Sequence, residues 1–242
     1  MGIEAISLDF WNTLFVEERG GFAFYAARRH QLLANATRQY GRFTDEQIAS
    51  ACRAEAESHY HIWRHEHRTL TARQRLSRIL GFLGANLSSE QLDDLSGAYE
   101  EGILERPPVL VDGARAALEK LSTRYKLGII SDVGFSPGRV LRRVLDDSGV
   151  LPAFDSLVFS DEAGCSKPHL EVFKQTATRL GAEPECIAHI GDLEHTDIVG
   201  AKAAGYRAIR FAGVTPLGHG ETTLADGLAI DWGEVPKMLE AF

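Results

Sequence analysis

The stretch LDFWNTL, Leu8 to Leu14, decides the fold. It closes a short apolar run, EAISLD (4–9), and leaves an aspartate at the end of that run, just before a turn. A short apolar run bounded by polar residues reads as a buried strand, and such strands occupy the middle of parallel sheets. A carboxylate at the carboxyl end of a strand lies where open α/β sheets bind their ligands. The residue two positions after Asp9 is Trp11, where a second carboxylate would make an acid–base pair.

Working outward, KLGIIS (126–131), SLVFS (156–160), CIAHIG (186–191) and YRAIRFA (206–212) read as further strands. Segments near 113–123, 136–148, 168–180 and 196–204 read as helices between them. Strand and helix in alternation predict an α/β fold, a three-layer Rossmann-like core with a parallel sheet covered on both faces. LAIDW (228–232) adds an edge strand before a short helix at 234–241. Residues 16–106 break this rhythm and show no strand pattern. Thr44-x-x-Gln47 and Ser88-x-x-Gln91 resemble capping boxes, and Thr71 is placed to cap a third helix. With 21–40 they make four helices, a helical-bundle cap over 16–106 inserted into a core of 1–15 and 107–242. Gly20-Gly21 marks the entry as a hinge, and Pro107-Pro108 marks the exit, since a residue before proline avoids the helical region.

The 242 residues carry 34 acidic and 26 basic side chains, a net charge of -8. That balance argues against a nucleic-acid or membrane partner. No apolar run approaches the ~18 residues of a membrane span. Three widely spaced cysteines, Cys52, Cys165 and Cys186, suggest neither a disulfide framework nor a zinc cluster. The expectation is a cytoplasmic monomer or homodimer acting on a small molecule.

The expected strand ends collect chemistry. The strand from 4 ends at Asp9, the one from 126 at Ser131-Asp132, and the one from 186 at Gly191-Asp192, with Asp197 following. Ser166-Lys167-Pro168 precedes a helix between them. A carboxylate can attack phosphorus or carbon and form a covalent ester. Mg²⁺ prefers oxygen ligands, which Asp9 and Asp192 supply. Lys167 would neutralise a transferring group, and Ser131 would donate a hydrogen bond to it. Singly, each residue has a plainer reading: Asp9 as a strand-end cap, Ser131 in a turn, Lys167 on the surface, Asp197 charging a helix start.

DFWNTL, IISD, SKPHLEVF and HIGDLEHTD, in that order, resemble the haloacid dehalogenase (HAD) superfamily of aspartate-nucleophile hydrolases. The resemblance spans essentially the whole chain, including the helical cap between the first two motifs. It implies Asp9 as nucleophile, Ser131 and Lys167 as ligands of the transferred group, and Mg²⁺ held by Asp9, Asp192, Asp197 and the Trp11 backbone carbonyl. It places Asn12 and Thr13 in the first-motif turn and Asp132 beside Ser131, where with Trp11 they shape the substrate space. In the superfamily's phosphatases, Trp11's position usually holds a second aspartate that protonates the leaving oxygen and then activates water. An indole N–H does neither. Such acid–base help is typically worth ~10²–10⁴ in rate, most of all for poor leaving groups. The superfamily's dehalogenases carry an aromatic residue there and need no metal, because halide leaves without a proton. The intact GDLEHTD segment favours metal-dependent hydrolysis of a small phosphorylated metabolite. A metal-independent dehalogenase-like hydrolase, or a non-catalytic ligand-binding relative, is the alternative.

The dehalogenases also hold a substrate carboxylate with an arginine, for which Arg28 and Arg29 qualify by position only. HYHIWRHEHR (59–68) concentrates four of nine histidines. His61 and His65 share a helix face, but no further Cys or His is patterned to complete a zinc site. Ile62 and Trp63 are expected in the cap's own core, with Arg64, His67 or Arg68 the groups that could face the sheet. His189 and His195, flanking Asp192, are taken as structural.

Overall fold

A computed structural model describes residues 2–38, 41 and 43–242. Its strands are β1 (Ala5–Leu8), β2 (Phe15–Val16), β3 (Val109–Leu110), β4 (Lys126–Ser131), β5 (Ser156–Phe159), β6 (Ile187–Gly191), β7 (Arg207–Phe211) and β8 (Gly227–Ala229). Its helices are α1 (Gly21–Ala36), α2 (Asp45–His61), α3 (Ala72–Leu83), α4 (Ser89–Glu101), α5 (Ala114–Leu121), α6 (Gly138–Asp147), α7 (Ser160–Ala163), α8 (Leu170–Leu180), α9 (Val199–Ala203) and α10 (Val235–Glu240).

Six strands form one parallel sheet in the order β5-β4-β1-β6-β7-β8. Alternate residues go to opposite faces, as the period of a strand requires. Ile6, Leu8, Ile129, Ile190 and Phe211 pack with α5, α6 and α10. Ala5, Ile130, Ile187 and Ala208 pack with α8 and α9. These are the two helical layers of the expected α/β core. The chain leaves β1 first toward β4 and β5, then returns to β6 on the other side. The crevice opened by that reversal lies above the ends of β1, β4 and β6.

Two details differ from expectation. The last strand stops at Ala229 rather than running to 232. Ile230 N–H donates to Glu234 Oε2 and Gly233 N–H to Asp231 Oδ1, so the backbone turns away from the ladder. The short β2–β3 pair, antiparallel with Phe15 opposite Leu110, was also not expected. Two-residue strands are too short to show a period. They lie where the chain passes between the sheet and α1–α4.

The helices α1–α4 surround an apolar cluster of their own, centred on Leu33, Ile48, Leu76, Ile79, Leu80, Leu95 and Tyr99. Thr44, Thr71 and Ser88 each accept from the backbone N–H three residues on, and the Gln there bonds back. All three caps are full capping boxes, a reciprocal satisfaction of two orphan donors each. Within this bundle Arg75 donates to both Glu55 oxygens, at 2.9 and 2.7 Å, and both residues are buried. The Arg75 guanidinium lies 3.8 Å from the centroid of Phe135, which comes from the loop after β4. Removing one partner of a buried pair costs about 3–5 kcal/mol, whereas replacing both with apolar groups is often neutral. Glu55→Ala is therefore expected to lose about that much in denaturant unfolding, and Glu55→Met with Arg75→Met to recover most of it.

Candidate active site

The turn after β1 is built from its own sequence. Asp9 N–H donates to Ile190 O at 2.9 Å, which fixes the aspartate beside the end of β6. Phe10 is fully buried and stacks on Phe15, with ring centroids 4.6 Å apart. The Phe10 carbonyl accepts from Leu14 and Phe15 N–H, and Asn12 N–H donates to Phe15 O. Asn12 takes φ 56°, a left-handed conformation that asparagine tolerates better than most residues. Phe10 therefore points into the core and Trp11 into the crevice. Among the described residues these turn hydrogen bonds leave the Trp11 carbonyl unused.

Lys167 Nζ donates to Asp9 Oδ1 at 2.5 Å and to Asp197 Oδ1 at 2.6 Å. Asp197 Oδ1 also lies 3.2 Å from His189 Nε2, and its Oδ2 accepts from Leu193 N–H at 2.9 Å. His189 is fully buried, with Nδ1 2.8 Å from Ser7 Oγ. A carboxylate can only accept, so Nε2 carries the ring proton and Ser7 donates to Nδ1. His189 thus holds Asp197, which holds Lys167, which holds Asp9. Gly191 is required for this chain of contacts, because a Cβ there would stand 2.3 Å from Asp197 Cγ. Asp192 Oδ2 accepts from Thr215 Oγ1 at 2.8 Å.

Electrostatics follow from burial. Desolvation opposes the charge on Lys167, but Asp197, Asp9 and Asp132 together outweigh it and hold the ammonium above its ordinary value. Burial would raise Asp197 too, but Lys167 and His189 bring its carboxyl well below the usual range. Asp9 and Asp192 are held above theirs, each by burial, with repulsion from the neighbouring carboxylates adding to it. Asp9, Asp192 and Asp197 offer oxygens within 4.8 Å of one another, an all-oxygen donor set. Such a set fits Mg²⁺, a hard cation, and a divalent charge would relieve the repulsion that raises Asp9 and Asp192.

The crevice is a cleft of about 430 Å³. Asp9, Trp11, Asn12, Asp132, Lys167, Asp192 and Asp197 line it. Ser131 and Thr13 are buried but do not line it, and Ser131 Oγ donates to the Asp132 carbonyl at 3.3 Å. The opposite wall comes from α2 and the π-turn that follows it: Ala56, His59, Tyr60 and Trp63. Trp63, expected in the bundle's own core, instead crosses to the sheet side. Its Nε1–H donates to Asp132 Oδ2 at 2.8 Å, and its ring packs edge-on to His195 at 5.3 Å. The extra residue in a π-turn rotates the helix end and aims the indole across the cleft, which helical periodicity cannot reveal. Asp132 Oδ1 accepts from Lys167 N–H at 2.9 Å. Trp63→Phe removes one bond to a charged acceptor, worth about 1.5–3 kcal/mol. The expected result is a rise of about tenfold in KM together with a fall in Tm of about 4–8 °C, read from steady-state kinetics and thermal melting.

The other candidates distribute differently. His67 reaches the sheet side through its backbone, accepting from Ser166 N–H at 2.8 Å, while Arg68 pairs with Glu66 in solvent. Arg64 is half-buried near His195. The His61 and His65 rings lie 4.6 Å apart, but among the described residues no third metal ligand joins them. Arg28 is paired with Glu105, and the Arg29 guanidinium stacks over Phe135 at 4.6 Å from the ring centroid.

The haloacid dehalogenase-like hydrolase family model matches residues 3–205. The chain is 28% identical to haloacid dehalogenase-like hydrolase domain-containing protein 3 of Mus musculus, over 54% of the chain and 48% of the relative. It is 36% identical to the glyceraldehyde 3-phosphate phosphatase of Methanothermobacter thermautotrophicus, over 36% of the chain and 38% of the relative. The chain thus spans about half or less of these relatives. A 2-haloacid dehalogenase structure from Pseudomonas syringae pv. Tomato superposes with a TM-score of 0.73 at 21% identity, covering 99% of each chain. At that identity the likeness is one of fold. Among the described residues no helix is long and apolar enough to cross a membrane.

Proposed function

The chain belongs to the haloacid dehalogenase-like hydrolase family, and from that premise we propose that it hydrolyses a small phosphorylated metabolite, with Asp9 as nucleophile and Mg²⁺ as cofactor. One observation carries this reading: Asp9 shares a buried cluster with Asp192 and Asp197 and is held by Lys167 at 2.5 Å. Asp9 Oδ1 is taken by Lys167, so Oδ2 is the oxygen left to attack. It forms a bond to phosphorus as the ester P–O bond breaks, and the leaving oxygen keeps the electron pair. Water then attacks phosphorus, the aspartyl O–P bond breaks, and the carboxylate is restored. Lys167 balances negative charge on the transferring group, and Asp132 shapes its binding side; Ser131, now turned to the Asp132 carbonyl, would have to rotate its hydroxyl to join it. Helices α1–α4 act as a cap that closes over it.

The metal would be held by Asp9, Asp192 and the Trp11 carbonyl. Asp197 contributes charge, but both its oxygens already accept hydrogen bonds, which suits it to orienting Lys167. Mg²⁺, when bound, supplies Lewis-acid stabilisation of the phosphoryl oxygens. The phosphatase named among the relatives supports a phosphate ester as substrate. Trp11 favours a second reading, metal-independent attack on a carbon–halogen bond, where no acid is required. The acidic cluster weighs against it, since Lys167 alone sets one positive charge against three buried carboxylates, and the remaining repulsion raises Asp9 and Asp192.

A panel of phosphate esters, with and without EDTA, and of 2-haloacids in EDTA separates these readings. Phosphate release that falls at least ~10²-fold in EDTA and returns with Mg²⁺ is the expected result. Haloacid turnover in EDTA would replace it with the second reading. No turnover of either class would leave a ligand-binding relative.

A further inference from the structure

Among the described residues, with Asp192 committed to the metal, the cleft contains a nucleophile but no side chain placed to hand a proton to the leaving oxygen. Asp132 lines the cleft, and its two oxygens accept from fixed donors, Lys167 N–H and Trp63 Nε1–H. Burial raises this carboxyl, but both bonds favour its ionised, acceptor form and point its oxygens away from a leaving group. Lys167 is locked between Asp9 and Asp197. Asp197 accepts at both oxygens. His59 faces the cleft with Nδ1 buried and without a partner among the described residues. Burial and the nearby Arg75 push its imidazole down to about 4, so near neutral pH it is the neutral ring, whose remaining N–H is too weak an acid to protonate a leaving oxygen. Tyr60 is 58% exposed and stands at the rim.

The walls point the same way. The surface around the nucleophile is mainly apolar and aromatic, with Trp11 on the β1 side and Trp63 and Tyr60 on the α2 side. A cleft of about 430 Å³ accommodates a single-ring ester, within the ~300–1,000 Å³ of small-molecule sites. Aromatic rings packing on indole gain about 0.5–1.5 kcal/mol beyond area burial.

We infer that the substrate is an aryl phosphate, an ester whose leaving group departs as a stabilised oxyanion and whose ring packs against Trp11 and Trp63. This inference rests on the phosphatase reading above. In the first step Asp9 Oδ2 bonds to phosphorus and the P–O(aryl) bond breaks. The aryl oxygen leaves with the electron pair as aryloxide and takes its proton from solvent. The second step is common to every substrate, because the same aspartyl phosphate is hydrolysed by water, returning the Asp9 carboxylate and inorganic phosphate.

The test is a series on the Mg²⁺-loaded full chain: nitrophenyl and phenyl phosphates, glycerol phosphate as the alkyl case, and acetyl phosphate as an acidic leaving group without a ring. The expected kcat/KM for aryl phosphates exceeds that for the alkyl ester by about 10²–10⁴, the usual worth of the absent acid. Acetyl phosphate is expected to show a KM about tenfold above that of phenyl phosphate. Trp11→Asp is expected to raise alkyl kcat at least tenfold and, by removing one aromatic face of the cleft, to raise the KM for aryl phosphates several-fold; if that variant fails to fold the wild-type series decides alone. Alkyl and aryl phosphates turned over within about tenfold of each other would overturn the leaving-group inference and leave the phosphatase reading standing. Acetyl phosphate bound as well as phenyl phosphate would overturn the aromatic wall. Absence of turnover on every phosphate ester would sink the phosphatase reading and this inference together.

Discussion

Asp9→Asn is expected to lower kcat by at least about 10⁴-fold while leaving the fold in place. The loss follows from removing a nucleophile whose partners act as a unit, so that little of the remaining machinery has anything to stabilise. The fold survives because the amide oxygen can still accept from Lys167, which also keeps Asp197 as its counter-ion. Repulsion from Asp192 and Asp197, which raises the Asp9 carboxyl, disappears in the amide. Thermal melting should place the variant within about 4 °C of wild type, or about 1 kcal/mol for a chain of this size. A folded Asp9→Asn that retained phosphate release would end the assignment of Asp9 as nucleophile.

Lys167→Met is expected to fail in both respects. It strands Asp9 and Asp197 as buried carboxylates with no cation, a change that costs about 3–5 kcal/mol and lowers Tm by about 10 °C. Turnover should fall by about 10²–10³-fold, the cost of one removed charge-stabilising donor. The pH dependence has a definite sign. In wild type the Asp197 carboxyl is depressed below its unfolded value, so its stabilisation is present above about pH 4 and lost as the pH falls through the lower folded value. Lys167 is raised, so its contribution is present below its unfolded value of about 10.4 and is lost as the pH climbs through the higher folded one. Without Lys167 both carboxyls move up, and the deficit of the variant is largest at neutral pH and shrinks in acid. Melting curves of the two proteins from pH 3 to 8 measure this. A deficit independent of pH would mean the loss is packing rather than charge.

The sheet was readable because its strands carry mainly apolar runs, and β1, β4, β5 and β6 each end in or give way to a polar residue. Thr-x-x-Gln and Ser-x-x-Gln marked the starts of α2 and α4 because the residues that make each cap lie within four positions of sequence. Asp9, Lys167, Asp192 and Asp197 could be named because they sit at strand ends or helix starts, and topology alone brings such positions together. Trp63 was misplaced in the bundle's own core, because its direction depends on a π-turn that shifts the helix face by one residue. His189 read as one more strand residue, since nothing local shows that its ring reaches Asp197, eight positions on. The wall of the cleft facing Asp9 was thus the part hidden from sequence.

The loop after β4 has one more consequence. Within five residues it carries Asp132, whose oxygens join Trp63 to Lys167, and Phe135 and Ser136, which reach into the helical bundle. The Phe135 ring lies under both Arg29 and Arg75 and edge-on to Tyr99. The bundle and the floor of the cleft are therefore joined through one short piece of chain. A change in α1–α4 that removes the seat of that ring also acts on Asp132, three residues away, and through it on Trp63 and Lys167. The socket around Phe135 thus couples packing inside the bundle to the geometry of the crevice.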